Sequence, residues 1–279
     1  MEPGAGLGTL EGHPAIAAGD RVVAFEAATG DRHLLVLDGT GARRHKGLGV
    51  VDPDKWAGRP WGAPVRLADK DVVLLRPTLA DLMATLARKA QVILPKDAGR
   101  ILLELGVGEG DRVLESGIGS AGLTIPLCWL VGARGRVVVQ ELREEFAEWG
   151  RGNVAKAGLV DRLEVHLGDL TQGLAPAVRG PFQAAVLDQP EPWKAIPHLV
   201  PALAPGATVA CYTPQVSQME GASKALSGAG FADVRQLELI ERRWEVKERG
   251  SRPSFEGLGH TGFLVFGRWL GMPIARPPA

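Results

Sequence analysis

The sequence is poor in the residues that build covalent cross-links. Cys128 and Cys211 are the two cysteines in 279 residues, and each lies inside an apolar run. Two buried thiols support neither a disulfide framework nor a zinc site. They are expected to be small core hydrophobes of a cytosolic protein, with no metal. No apolar run reaches the roughly 18–20 residues that a membrane span needs. Met1 to Gly8 has no basic residue ahead of an apolar stretch, so no signal peptide is expected. An excess of charge is also missing: 32 Lys and Arg balance 32 Asp and Glu. A neutral chain argues against a strongly basic nucleic-acid-binding protein, although a basic patch can sit on a neutral surface. Two local runs are candidates, Arg43-Arg44-His45-Lys46 and Arg242-Arg243 with Lys247 and Arg249. Each by itself reads as a solvated face. Aromatic residues are scarce, and Tyr212 is the single tyrosine.

Hydrophobic patterning divides the chain in two. Residues 1–72 show short β-type runs, Arg21 to Phe25 and His33 to Leu37, separated by Gly-Asp and Asp-Gly-Thr-Gly turns. A small β-rich domain is expected there, with the main domain over residues 73–279. A helical stretch should run from Leu79 to Lys89. Asp97 is placed to cap a helix from Ala98 to Leu105. Strands then alternate with helices. The expected strands are Arg112 to Glu115, Gly135 to Glu141, Leu163 to Leu167, Ala184 to Asp188 and Thr208 to Tyr212. The helices between them are Leu123 to Val131, Glu144 to Ala157, Trp193 to Leu203 and Ser217 to Gly228. Such alternation implies a parallel sheet covered on both faces. Two further strands, Val234 to Val246 and Gly262 to Trp269, lack a helix between them and should pair antiparallel as an edge hairpin. A two-half dinucleotide fold would continue with more βα units. Five strands closed by an antiparallel pair instead match the seven-stranded, mostly parallel α/β sheet of class I S-adenosylmethionine (SAM) methyltransferases.

Glu115-Ser116-Gly117-Ile118-Gly119-Ser120-Ala121-Gly122 joins the first of these strands to a helix near Leu123. Glycines there permit a tight turn and a close backbone approach to a ligand at a helix N-terminus. The pattern alone also suits a dinucleotide or a structural turn. Glu141 ends the second strand, 24 residues after Gly117, where a carboxylate can accept from ribose hydroxyls. Gly168-Asp169 ends the third, where a side chain can meet an adenine amino group. Glu115, immediately before the turn, can face the cationic end of a methionine. Together they place a ligand at the C-terminal ends of successive strands, where open α/β sheets bind one.

The fourth strand runs into Asp188-Gln189-Pro190-Glu191-Pro192-Trp193. A proline-broken turn with Trp193 as a packing residue is one reading. The other puts Asp188 at the reacting centre. This segment resembles the Asp-x-Pro-x-Pro-Trp motif of the tRNA adenine-58 N1-methyltransferases. Other blocks resemble the same family: Arg76-Pro77-Thr78, Gln91 to Asp97, the Glu115 to Thr124 loop, Tyr212-x-Pro214 with Gln218, Trp244-Glu245-Val246, Arg252-Pro253 and His260 to Leu264. The likeness spans Arg76 to Arg268.

The resemblance implies SAM as cofactor, tRNA as partner and a homo-oligomer, usually a tetramer. It implies methyl transfer to N1 of adenine 58 in the T-loop, with Asp188 catalytic. The matching cofactor positions are Gln91, Glu115, Gly117, Gly119, Ser120, Ala121, Gly122, Leu123, Glu141, Asp169 and Asp188. Arg242, Arg243 and His260 are the candidate tRNA contacts. Leu82 and Leu94 stand where the family commonly has tyrosine, and Phe255 where histidine is usual. Three alternatives therefore stay open: a weakly active paralogue, an RNA-binding non-catalytic subunit, and a SAM methyltransferase acting on another RNA or a small molecule.

Overall fold

A computed structural model describes residues 14–272. The expectation for Met1 to Gly8 lies outside the described residues. The chain forms two compact units, Met1–Leu86 and Ala87–Ala279.

In the first unit, β1 (Arg21–Glu26) buries four of its six residues, as a Val-rich central strand should. It pairs antiparallel with β2 (Arg32–Val36). The short hairpin of β3 (Arg43–His45) and β4 (Gly49–Val51) follows, then β5 (Pro64–Leu67) and β6 (Lys70–Leu75). The four-stranded order is β2-β1-β6-β5. Ile16, Val22, Leu35, Leu37, Trp56 and Leu74 form its core. The division expected after residue 72 moves to Leu86, because Val73 to Leu75 of β6 still pair with β1. Glu26, Asp31 and His33 bring possible metal-ligand atoms within 4.8 Å. Lys70 already supplies a cation there, with Nζ 2.7 Å from Glu26 Oε2. A capping box between Thr78 and Asp81 starts helix α1 (Leu79–Ala84). The helix ends five residues short of Lys89, since the backbone from Ala87 to Ala90 makes other bonds, described below.

The second unit opens with α2 (Pro95–Leu105). Pro95 takes the first helical turn, where its missing N–H costs nothing. Asp97 does not cap this helix as expected. It lies inside the first turn, fully buried, and Leu94 takes the cap position without a side-chain bond. The alternating elements then follow: β7 (Arg112–Ser116), α3 (Thr124–Val131), β8 (Arg136–Glu141), α4 (Glu144–Ala157), β9 (Leu163–Leu167), β10 (Phe182–Leu187), α5 (Pro192–Leu199), β11 (Leu203–Thr213) and α6 (Val216–Gly228). The helix expected to reach Leu203 stops at Leu199, followed by a 3-10 turn containing Pro201. The strand expected over 234–246 also divides. β12 (Ala232–Glu238) joins the main sheet, whereas β13 (Trp244–Lys247) pairs with β14 (Gly250–Pro253) as a separate hairpin. β15 (Phe263–Arg268) then returns to the sheet between β11 and β12, antiparallel to both. The order is β12-β15-β11-β10-β7-β8-β9.

One sheet face carries Leu114, Val138, Ala185, Leu187, Val209, Cys211 and Val265 against Ala195, Ile196 and Leu199 of α5 and Leu226 of α6. The period-2 alternation puts Glu115 and Val186 on the opposite face. Cys128 and Cys211 are both free and buried. Among the described residues no helix is long and apolar enough to cross a membrane. Leu114 is fully buried in the central strand. Leu114→Ala should therefore lower the unfolding free energy by about 2–5 kcal/mol. Urea titration by circular dichroism checks this, and a loss below about 1 kcal/mol would place the core elsewhere.

Candidate cofactor and active site

The strand register aligns the candidate residues. Ser116 pairs with Gln140, Gln140 with His166, and Leu187 with Ser116. One residue further on, Gly117, Glu141 and Asp188 all stand at the C-terminal edge. The Asp188 amide donates to Ser116 O at 3.0 Å. Gly117 has φ +90°, and a Cβ there would lie 2.7 Å from the Asp188 carbonyl oxygen. Only glycine satisfies both the conformation and the approach. Ala121 holds φ +64° within the same turn.

Glu141 supports this turn from the neighbouring strand. Its buried carboxylate accepts the Ile118 amide through Oε2 and the Arg143 amide through Oε1, each at 3.0 Å. Each oxygen keeps a second lone pair that a ribose hydroxyl can use. Asp169 accepts through Oδ1 from the Thr171 amide and hydroxyl, at 2.8 and 2.7 Å, and so caps a 3-10 turn. Its Oδ2 is the oxygen left for an adenine amino group.

Ser120, one of the candidate cofactor positions, has its side chain engaged within the protein. Its hydroxyl is buried and accepts from the Lys89 and Ala90 amides at 2.9 and 3.0 Å. Trp149 and Asn153 of α4 donate to Ala87 O at 2.7 and 2.9 Å. These bonds hold residues 87–90 as a strap across the glycine turn, and they explain why no helix continues to Lys89. Gly122 faces the segment that follows the strap, since a Cβ there would lie 2.8 Å from Val92 Cβ. Leu123 is buried before α3. Gln91, immediately after the strap, is exposed. In the turn itself, the groups left for a ligand are mainly backbone.

Glu115 is 2% exposed, and its Oε2 has no hydrogen-bond partner among the described residues. Burial, with the nearby charges of Asp188 and Glu141, pushes its carboxyl up to about 8. Asp188 is pushed up to about 7 by crowding among protein atoms and by Glu141. Asp188 is nevertheless open to water. Three carboxyls thus meet at one edge of the sheet, and Oε2 of Glu115 has no partner among the described residues. Such a set fits a cation with hydroxyl and amino groups, as SAM is.

Other candidates lie apart from this edge or are already engaged. Trp193 packs on α6, where a Cβ on Gly221 would lie 2.8 Å from its ring. Ser116 Oγ donates to Gln189 Oε1, a contact that sequence reasoning did not foresee. His260, a candidate tRNA contact, is exposed, and its ring already has two protein partners. Its Nδ1 meets Glu238 Oε1 at 2.6 Å and its Nε2 meets Pro214 O at 2.9 Å, so both ring nitrogens have partners. The Glu238 bond raises its pKa. Arg242 and Arg243 are exposed on the connection from β12 to β13, and Arg243 pairs with Glu241 at 2.9 Å.

The raised carboxyls give a pH signature. A carboxyl whose folded pKa lies above its unfolded value stabilises the fold at low pH. That stability is lost as pH climbs through the folded value. For Glu115 the loss spans about pH 4.5 to about 8. Glu115→Gln should remove it, so the melting temperature of the variant should gain on the parent's steadily between these limits, without ligand. Parallel melting curves would refute a raised Glu115.

Comparison with known proteins matches this architecture. Residues 71–251 match the family described as the tRNA methyltransferase complex GCD14 subunit. The chain is 33% identical over 240 residues to the tRNA (adenine(58)-N(1))-methyltransferase TrmI of Thermus thermophilus, covering 85% of this chain and 93% of that one. It is 30% identical over 226 residues to the tRNA (adenine(57)-N(1)/adenine(58)-N(1))-methyltransferase TrmI of Methanocaldococcus jannaschii, covering 73% and 80%. The crystal structure of the tRNA (m1A58) methyltransferase TrmI from Aquifex aeolicus superposes with a TM-score of 0.70 at 28% identity, covering 91% and 98%. A SAM-dependent O-methyltransferase from Thermotoga maritima gives 0.79 at 28% identity, covering 95% and 97%. With its seven-stranded sheet, its glycine turn and its converging carboxyls, the chain belongs to the tRNA (adenine-58-N1)-methyltransferase family of SAM-dependent enzymes.

Proposed function

We propose that this protein methylates N1 of adenine 58 in the T-loop of tRNA, with SAM as methyl donor. The carrying observation is Asp188, a carboxylate open to the cleft at the end of β10 and set against the glycine turn. When bound, SAM supplies a methyl group on a sulfonium, which an electron pair can attack. Glu115, through its unpaired Oε2, would face its charged methionine end, Glu141 its ribose, and Asp169 Oδ2 its adenine. Leu94, half-buried beside the strap, offers the target base an apolar contact where a tyrosine ring is common.

Adenine N1 has a lone pair in the ring plane and no proton to lose at neutral pH, so no strong base is required. What helps is an acceptor for the exocyclic N6–H that also faces the positive charge growing on the ring. Asp188 holds that position, and its carboxylate form is favoured as the cation develops. The backbone bond from Asp188 to Ser116 O fixes the strand end, and Pro190 stiffens the turn behind it. N1 lies on the Watson–Crick edge, so the base must leave its stack. Arg242 and Arg243 are assigned to phosphates of the same tRNA. A cytoplasmic location accords with that substrate.

The hairpin also favours assembly. Trp244 and Val246 share one face of β13 and are 60% and 82% exposed. Ile240 and Phe255 flank them at 74% and 89%. A cluster of this kind usually marks a contact with another chain. We assign it to a second copy in a homotetramer, which would also join the basic segments of neighbouring subunits.

Two measurements test these readings. Asp188→Asn keeps the shape but removes the charge, and should lower kcat by about 10²–10³ with SAM affinity largely retained. Single-turnover methylation of unmodified tRNA, read by nucleoside mass spectrometry, should give 1-methyladenosine. A 2′-O-methyl product or none would sink the reading. Light scattering should report a tetramer for the parent and smaller species for Trp244→Glu. A monomeric parent would remove the assembly.

A further inference from the structure

A buried polar cluster lies outside the cofactor site and has no part in the chemistry described above. Lys96 Nζ donates to Asp97 Oδ1 at 2.7 Å, to Leu239 O at 2.8 Å and to Thr261 Oγ1 at 2.7 Å. All three ammonium donors are used. The Thr261 hydroxyl in turn donates to Asp97 Oδ2 at 2.8 Å. Asp97 is fully buried, and Thr261 is 8% exposed. An ion pair enclosed to this degree is costly unless every donor and acceptor is matched, and here each is.

Its value lies in what it joins. Leu239 is the first residue after β12, and Thr261 lies two residues before β15. Between them runs the whole arm, including Arg242, Arg243 and the β13–β14 hairpin. Lys96 therefore grips both the departing and the returning strands of the arm from the first turn of α2. That turn directly follows Leu94 and the strap over the glycine turn. Two further bonds extend the hold: Tyr212 OH donates to Thr261 O at 2.6 Å, and His260 bridges Pro214 O and Glu238. Gly262 has no room for a side chain, since a Cβ would lie 2.6 Å from the Tyr212 ring. The base of the arm is thus fixed against the end of β11 and the start of α2 together.

We propose that Lys96, Asp97 and Thr261 are positioning residues for the tRNA substrate. They set the arm in register with the catalytic edge, so that phosphates held by the arm and a base presented to Asp188 fit one RNA. This rests on the tRNA reading. A hydrophobic cluster of the same volume would hold the fold equally well, but a three-way hydrogen-bonded ammonium also sets direction and register.

Thr261→Val is nearly isosteric and removes the hydroxyl that both Lys96 and Asp97 use. Thr261→Ser restores it. The Val variant should show a KM for tRNA raised by about tenfold, the effect of one lost charge-assisted bond. Its kcat and SAM affinity should stay within about twofold, and Ser should return KM toward the parent's. Asp97→Asn, which keeps the shape and discharges the pair, should give the same split between KM and kcat. Hydrogen exchange needs no substrate: in Thr261→Val, amides of the β12–β15 pairs at the base of the arm, 237–238 and 263–264, should exchange about tenfold faster, while β7 and β10 stay protected. Unchanged arm exchange in a folded Val or Asn variant would overturn the proposal. So would an unchanged KM, or a fall in kcat with KM constant. If the parent does not methylate tRNA, the functional reading fails, while the exchange experiment still decides whether the clamp holds the arm.

Discussion

Three carboxyls, Glu115, Glu141 and Asp188, meet at one edge of the sheet, and much of the second unit is arranged around keeping them there. Like charges brought together away from water oppose one another. The protein relieves this unevenly. Glu141 receives two backbone amides, whereas Glu115 has an oxygen with no partner and a strongly raised pKa. The imbalance leaves an unfilled demand for positive charge beside the glycine turn.

The same edge explains the backbone geometry. Gly117 must approach the Asp188 carbonyl, which locks the ends of β7 and β10 together. The strap from Ala87 to Ala90 then closes over the turn by bonds to Ser120, Trp149 and Asn153. Side chains that a motif assigns to a ligand can therefore serve the frame. Ser120 is one case, and His260 is another. In both, the side chain is bonded within the frame.

The order of elements is largely legible in the sequence, because alternating helix and strand patterns report burial directly. The carboxyls at successive strand ends are legible for the same reason, since a strand end can be located by where its apolar run stops. Less legible are the places where local preference competes with distant partners. The helical pattern runs on to Lys89, yet the backbone of Ala87 and Lys89 is claimed by α4 and the glycine turn. Val234 to Val246 reads as one β segment, yet it breaks at Leu239, whose carbonyl is taken by Lys96 from 143 residues away. Asp97 has the profile of a cap but is drawn inward to meet Lys96 and Thr261.

The sequence by itself determined the sheet, the cofactor edge and the family. Those features rest on periodicity, on glycines at a turn and on motifs within short windows. The tertiary structure alone decided what the Pro-Lys-Asp and His-Thr-Gly blocks do for one another. Each block is ordinary locally. Their meaning is a hydrogen-bond geometry between groups 165 positions apart in the chain, and direction in space is not encoded in the order of residues until the fold brings donors and acceptors into contact.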